Sequence, residues 1–159
     1  MMPFLKPFKS TYLFLVLFLI FGMTIHGQKK NNSIEVGAER FDLYLPLLEG
    51  KKVGIVGNHT SIIVKENKEN DFTHLEDTLL SLKVQVKKLF SPEHGFRGSA
   101  DAGELIVDGK DTKTGLEIVS LYAENKKPTA AQLEGIDIMV FDLQDVGVRF
   151  FTYISTLHY

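Results

Sequence analysis

Residues 91–104 read SPEHGFRGSADAGE, setting two Glu, an Asp, an Arg and a His among glycines directly behind a strand-like run at 84–90. Carboxylates and an imidazole on a glycine-rich connection are equipped for general acid–base work, in which one group gives up a proton while another takes one. Two more clusters share this character. Asn58-His59-Thr60-Ser61 follows the apolar run KKVGIVG at 51–57, and Asp142-Leu143-Gln144-Asp145, with Arg149 beyond, follows IDIMVF at 136–141. In an open α/β sheet, ligands sit outside the carboxyl ends of the strands, so clusters placed after three separate strands converge on one edge. Paired carboxylates there suit glycoside hydrolysis. One protonates the leaving oxygen while the other activates water or attacks the sugar carbon, and a separation of ~5–9.5 Å decides which.

Each cluster also has a plain structural reading. Asn58 can close a turn on its own backbone. Asp142 and Asp145 can cap a helix expected to start near Gly147, since acids favour helix N-termini. Arg97 and Arg149 are either surface ion pairs worth ~0–1 kcal/mol or a two-pronged clamp on a ligand carboxylate. Tyr153 and the Phe150-Phe151 pair read as core. Other chemistries have weaker support. Val53-Gly54-Ile55-Val56-Gly57 lacks the full G-x-G-x-x-G spacing of a dinucleotide loop, and no P-loop is present. His59, His94, Glu93 and Asp101 could ligate a metal, but no H-x-x-x-H or H-E-x-x-H spacing joins them. No G-x-S-x-G elbow is found.

The elements that must position these groups follow from periodicity. Residues 41–48 are apolar at mixed spacing around Pro46, which predicts a short or broken helix. Residues 51–57, 84–90, 118–122 and 136–141 are short apolar runs bounded by turn residues, the pattern of buried strands. Thr73-His74-Leu75-Glu76 and Thr129-Ala130-Ala131-Gln132 fit capping boxes. Leu75, Leu79 and Leu82 continue the first at helical spacing, and Gly135 stands where the second helix would end. Strands alternating with capped helices predict an α/β fold with a mostly parallel sheet and helices on both faces. The 25-residue stretch from Ser91 to Gly115 is long enough to expect a functional loop.

The ends are read separately. Lys6 and Lys9 precede ten apolar residues at 12–21, and Gly27 follows, which is the layout of a secretory signal over 1–27. The apolar run is shorter than the ~20 residues that span a bilayer, so cleavage and export, without stable membrane insertion, are expected. Residues 28–39 form a polar leader. Losing Lys6 and Lys9 makes the net charge of −2 more negative, which argues against nucleic acid or an anionic membrane as partner. No cysteine is present, so an exported chain must rely on an ordinary core, for which about 130 residues suffice. Residues 147–159 start an apolar, helix-spaced segment without a cap or polar tail, and the expectation is a longer protein.

VGIVGNHTS, LFSPEHGFRGSADAGE, DTKTGLEIVSLYAENKKPT and IDIMVFDLQDVGVRFFTYISTLHY resemble, in order and spacing, the exo-β-N-acetylmuramidases of the NamZ type over residues 40–159. The resemblance implies an enzyme that removes N-acetylmuramic acid from the non-reducing end of peptidoglycan fragments and needs no cofactor. It implies a Rossmann-like N-terminal domain, here incomplete, followed by a smaller C-terminal domain that closes the cleft. Ser61 stands where Gly is usual, and Glu117 and Val119 where Pro and Tyr are common. Carried over, Glu93 is the first choice for the catalytic acid, with His94, Asp142 and Asp145 beside it. Asn58, His59, Glu104 and Gln144 would line the substrate, and Arg97 or Arg149 would bind the lactyl carboxylate. The partners implied are peptidoglycan-derived muropeptides or disaccharides. Two other readings stand beside this one: a non-catalytic muropeptide-binding module, and a nucleotide-binding Rossmann protein, which the glycine spacing and the export signal disfavour.

Overall fold

The computed structural model describes residues 35–64, 71–98 and 108–159. The signal and polar-leader expectations, up to residue 34, lie outside them. A single 3-10 turn at Gly37–Glu39 leads into helix α1 (Phe41–Leu48). Phe41, Tyr44, Leu45 and Leu48 recur at three- and four-residue spacing, so one stripe of α1 faces the core although Pro46 interrupts its hydrogen bonding.

Strand β1 (Lys52–Gly57) is followed by a small antiparallel pair, β2 (Ile62–Val64) and β3 (Phe72–His74), and by helix α2 (Leu75–Ser81). Then come β4 (Gln85–Ser91), the two-residue β5 (Gly109–Lys110), β6 (Glu117–Ser120), β7 (Ile138–Asp142) and helix α3 (Tyr153–His158). The main sheet runs β5-β6-β4-β1-β7, parallel throughout except for β5 against β6. The order moves outward from β1 through β4 to β6 and then returns to β7 on the other side of β1. The switch point therefore lies at β1, the place where such sheets bind ligands.

Two cores cover the two faces. Alternation sends Val53 and Ile55 of β1 to one side with Leu89, where α1 and α2 add Leu48, Leu75 and Leu79. Val56, Phe90, Val119 and Leu121 point to the other side and pack with Leu133, Ile136, Phe141 and Leu143. Burying a side chain such as Phe90 or Ile55 completely stabilises the fold by about 1.5–3 kcal/mol.

Several local expectations are corrected. Thr73 belongs to β3 rather than capping α2; His74 holds the N-cap position without a side-chain hydrogen bond, and Glu76 turns inward. Leu82 follows α2 at an exposed position. The second box does form, with Gln132 N–H donating to Thr129 Oγ1 at 3.2 Å and Thr129 N–H donating to Gln132 Oε1 at 2.8 Å. It closes a run of turns rather than a helix, and Gly135 ends them at φ 75°. The last helix starts at Tyr153, well past Gly147, so neither Asp142 nor Asp145 caps it. Phe150 is 92% exposed and Phe151 is exposed as well, so this pair is not core. Among the described residues, no helix is long and apolar enough to cross a membrane.

Candidate active site

The turn after β1 is fixed by polar contacts. Asn58 is fully buried; its Oδ1 accepts from the Thr60 amide at 2.8 Å and the Thr60 hydroxyl at 2.7 Å, an Asx turn of the kind Asn favours. Thr60 Oγ1 accepts in turn from the Gln144 amide at 3.1 Å, tying this turn to the end of β7. Ser61 Oγ makes a second tie: it accepts from the Asn58 amide at 3.1 Å and donates to the Asp142 carbonyl. From the other side, His74 Nε2 donates to the Asn58 carbonyl at 2.9 Å, with its ring against Phe96, centroids 4.7 Å apart. Burial lowers the His74 pKa, so the ring is held neutral.

The segment after β4 turns sharply. His94 at φ 73° and Gly95 at φ 76° are consecutive left-handed residues, and Phe96, buried directly after them, anchors the segment to the core. This presents Glu93, half-buried, to a cavity of about 640 Å3 whose wall also includes Tyr122, Glu124, Lys126, Tyr153 and Thr156. The Tyr122 hydroxyl donates to Glu93 Oε1 at 3.2 Å. Burial raises the Tyr153 phenol pKa; the Asn58 side chain opposes the shift and the Glu93 charge adds to it. Asn58 Nδ2 is buried with no hydrogen-bond partner among the described residues. Glu93 and Tyr153, distant in sequence, thus share the wall of one cavity.

Arg97 does something other than expected. Its Nε and Nη2 donate to both oxygens of Asp111, and Nη2 also reaches Glu76 at 2.9 Å and Asp77 at 3.2 Å. Nη1 reaches Asp77 as well, at 3.3 Å. All three nitrogens are engaged, so no fork is left for a ligand carboxylate, and the clamp role is corrected to a structural one. The hydrogen bonds from Arg97 hold Asp111 far below the usual carboxylate range. Burial pushes Asp77 up, but donation from Arg97 and Lys113 outweighs it and leaves the group low. Burial raises Glu76, although Thr114 Oγ1 donates to it at 2.6 Å. This cluster pins the Glu93 segment to α2 and to the 111–116 turn.

The other predicted residues divide. Ile138 and Val140 join the α1-side core, so alternation along β7 turns Asp142 to that face, away from the cavity. Its Oδ2 is buried without a partner among the described residues, and burial raises its pKa. The Tyr44 hydroxyl of α1, pushed up to about 12 by burial, also feels the Asp142 charge. Asp145 Oδ1 accepts from the Gly147 amide at 2.7 Å, a turn contact. His94, Gln144 and Arg149 do not contribute to the cavity wall. His59 is exposed and packs against Gly98 on the Arg97 side. Glu104 and Asp101 lie outside the described residues. Sequence reasoning missed Tyr122, Glu124 and Lys126, although all three stand in the polar stretch directly after β6, where the strand-end rule points.

A parallel α/β sheet with polar turns gathered at its carboxyl edge, beside a cavity holding a glutamate, defines a Rossmann-like domain with a strand-end site. Residues 53–159 match the family described as exo-β-N-acetylmuramidase NamZ, N-terminal, and the chain belongs to that family. Across 95% of its length it is 34% identical to the peptidoglycan β-N-acetylmuramidase NamZ of Bacillus subtilis (strain 168), of which it spans 38%. Two crystal structures of DUF1343 family proteins from Bacteroides fragilis NCTC 9343 are similar. One is 40% identical with a TM-score of 0.58, covering 76% of this chain and 28% of that one. The other is 37% identical with a TM-score of 0.64, covering 78% and 29%.

Proposed function

We propose that this chain supplies the acid-bearing wall of a glycoside hydrolase that removes N-acetylmuramic acid from the non-reducing end of peptidoglycan fragments. The observation that carries the reading is Glu93, presented at the carboxyl end of a central strand into a cavity of about 640 Å3 with one oxygen held by the Tyr122 phenol. A hollow of that volume suits a sugar ring or two. Fixing Oε1 leaves Oε2 to pass a proton to the glycosidic oxygen, the role of the general acid. Glu124 is the other carboxylate on the wall among the described residues, and this reading gives it the attacking water. Membership of the family supports the same reading, as does the name of the Bacillus relative.

Export belongs to the proposal, with residues 1–27 as its signal, because peptidoglycan lies outside the cytoplasmic membrane. In the full-length protein, Glu93→Gln is expected to abolish release of a chromogenic aglycone from a muramic-acid glycoside while the thermal midpoint stays within about 3 °C of wild type. Turnover by that variant at the wild-type rate would refute the assignment.

A further inference from the structure

N-Acetylmuramic acid differs from N-acetylglucosamine by an ether-linked lactyl group ending in a carboxylate, so a site that selects it needs a cation. Three basic side chains near the strand ends are candidates, and they are not equivalent. Arg97 is spent on Glu76, Asp77 and Asp111. Arg149 is exposed and off the cavity wall. Lys126 lines the cavity together with Glu93, is exposed, and has no ion-pair partner among the described residues.

We propose that Lys126 recognises the lactyl carboxylate and so sets the preference for muramic acid; this rests on the muramidase reading above. Charge makes the need specific. Glu124 shares the wall, and a ligand carboxylate beside it meets repulsion that, among the described residues lining the cavity, Lys126 alone can offset. Local structure holds the lysine in place. The Asn125 amide donates to the Tyr122 carbonyl at 3.2 Å, and Asn125 Nδ2 donates to the Ser120 carbonyl at 2.6 Å, closing a tight turn just before Lys126. Ala123 sits in this turn at φ 56°, a left-handed conformation that a non-glycine residue adopts only when its surroundings impose it. One turn therefore delivers Tyr122 to the catalytic acid and Lys126 to the same cavity a few residues on.

The test uses the full-length protein and two chromogenic glycosides, one of muramic acid and one of its lactyl methyl ester. Wild type is expected to favour the acid over the ester by about tenfold in kcat/KM, mostly through KM, as for one charge-assisted hydrogen bond. Lys126→Gln should bring that ratio close to one, and Lys126→Arg should keep it. If Lys126→Gln retains the wild-type ratio while Glu93→Gln is inactive, the lysine assignment is overturned and the muramidase reading stands. If wild type cleaves neither glycoside, the muramidase reading fails and takes this proposal with it.

Discussion

Tyr122 and Glu93 meet across adjacent strand ends: the phenol from the turn after β6 donates to the carboxyl group after β4 at 3.2 Å. The contact exists because β4 and β6 pair in parallel, with Ser91 opposite Ser120, so their following residues leave the sheet side by side. Removing it should cost orientation of the acid and little else. Tyr122→Phe keeps the ring and loses the donor, and kcat on a muramic-acid glycoside is expected to fall about tenfold or more, since hydrogen bonds to charged groups are worth roughly 1.5–3 kcal/mol. An unchanged kcat would show that Glu93 is held by other means.

The Arg97 cluster calls for a stability measurement. Asp111 and Glu76 are buried, Asp77 nearly so, and one guanidinium reaches all three, with Lys113 adding a second cation at Asp77. Arg97→Met would leave Glu76 and Asp111 buried without their counter-charge, while Asp77 keeps Lys113, a situation that costs about 3–5 kcal/mol. Arg97→Lys should recover only part, because an ammonium is a point donor and lacks the planar fork that spans both Asp111 oxygens. Urea denaturation reads both variants; a loss under about 1 kcal/mol for Arg97→Met would mean that solvent screens the cluster.

Features that depend on neighbours along the chain are legible in the sequence. Val53, Ile55 and Val56 announce β1 because a strand buried on both faces reads as a continuous apolar run. The strand-end rule then places Asn58 and Glu93 on one edge without any knowledge of their contacts. Thr73 and Glu76 have the spacing of a capping box, yet Glu76 turns inward to Arg97, 21 residues away, a partner that local spacing does not announce. Asp142 and Asp145 are equivalent as text, while the two-residue period of β7 buries one against α1 and leaves the other in a turn. Tyr122 and Lys126 escape a reading by spacing because nothing in YAENK announces chemistry until the turn at Ala123 aims it.

His74 gives a pH dependence. Burial lowers its pKa from the ordinary 6.5, so the unfolded chain takes up a proton before the folded one does. Its contribution is therefore fully present above about pH 6.5 and is lost as pH falls through the lowered folded value. Asp111, also lowered, acts in the same direction further into acid, whereas Glu76, raised by burial, gives stability that is lost as pH rises. His74→Gln retains a donor for the Asn58 carbonyl without the titration. It should flatten the decline in unfolding free energy between about pH 7 and pH 5. A wild-type slope in that variant would assign the decline to other groups.

Gly98 tests how tightly the segment after Glu93 is folded back on the turn after β1. A Cβ at this position would stand 2.7 Å from His59 Cβ and 2.9 Å from its Cγ, and the His59 Cβ cannot move away without moving the His59 backbone. The residue is also left-handed at φ 71°, which costs an L side chain about 1–2 kcal/mol before any clash. Gly98→Ala is expected to lose about 2–3 kcal/mol in urea denaturation and to shift the His59 ring resonances. Gly109→Ala is the control, since a Cβ there meets nothing within 4 Å and no left-handed backbone is involved; its loss should stay within about 0.5 kcal/mol. Equal losses in the two variants would mean that the cost at Gly98 is generic to alanine on an exposed connection, and that His59 does not pack against the Glu93 segment in solution.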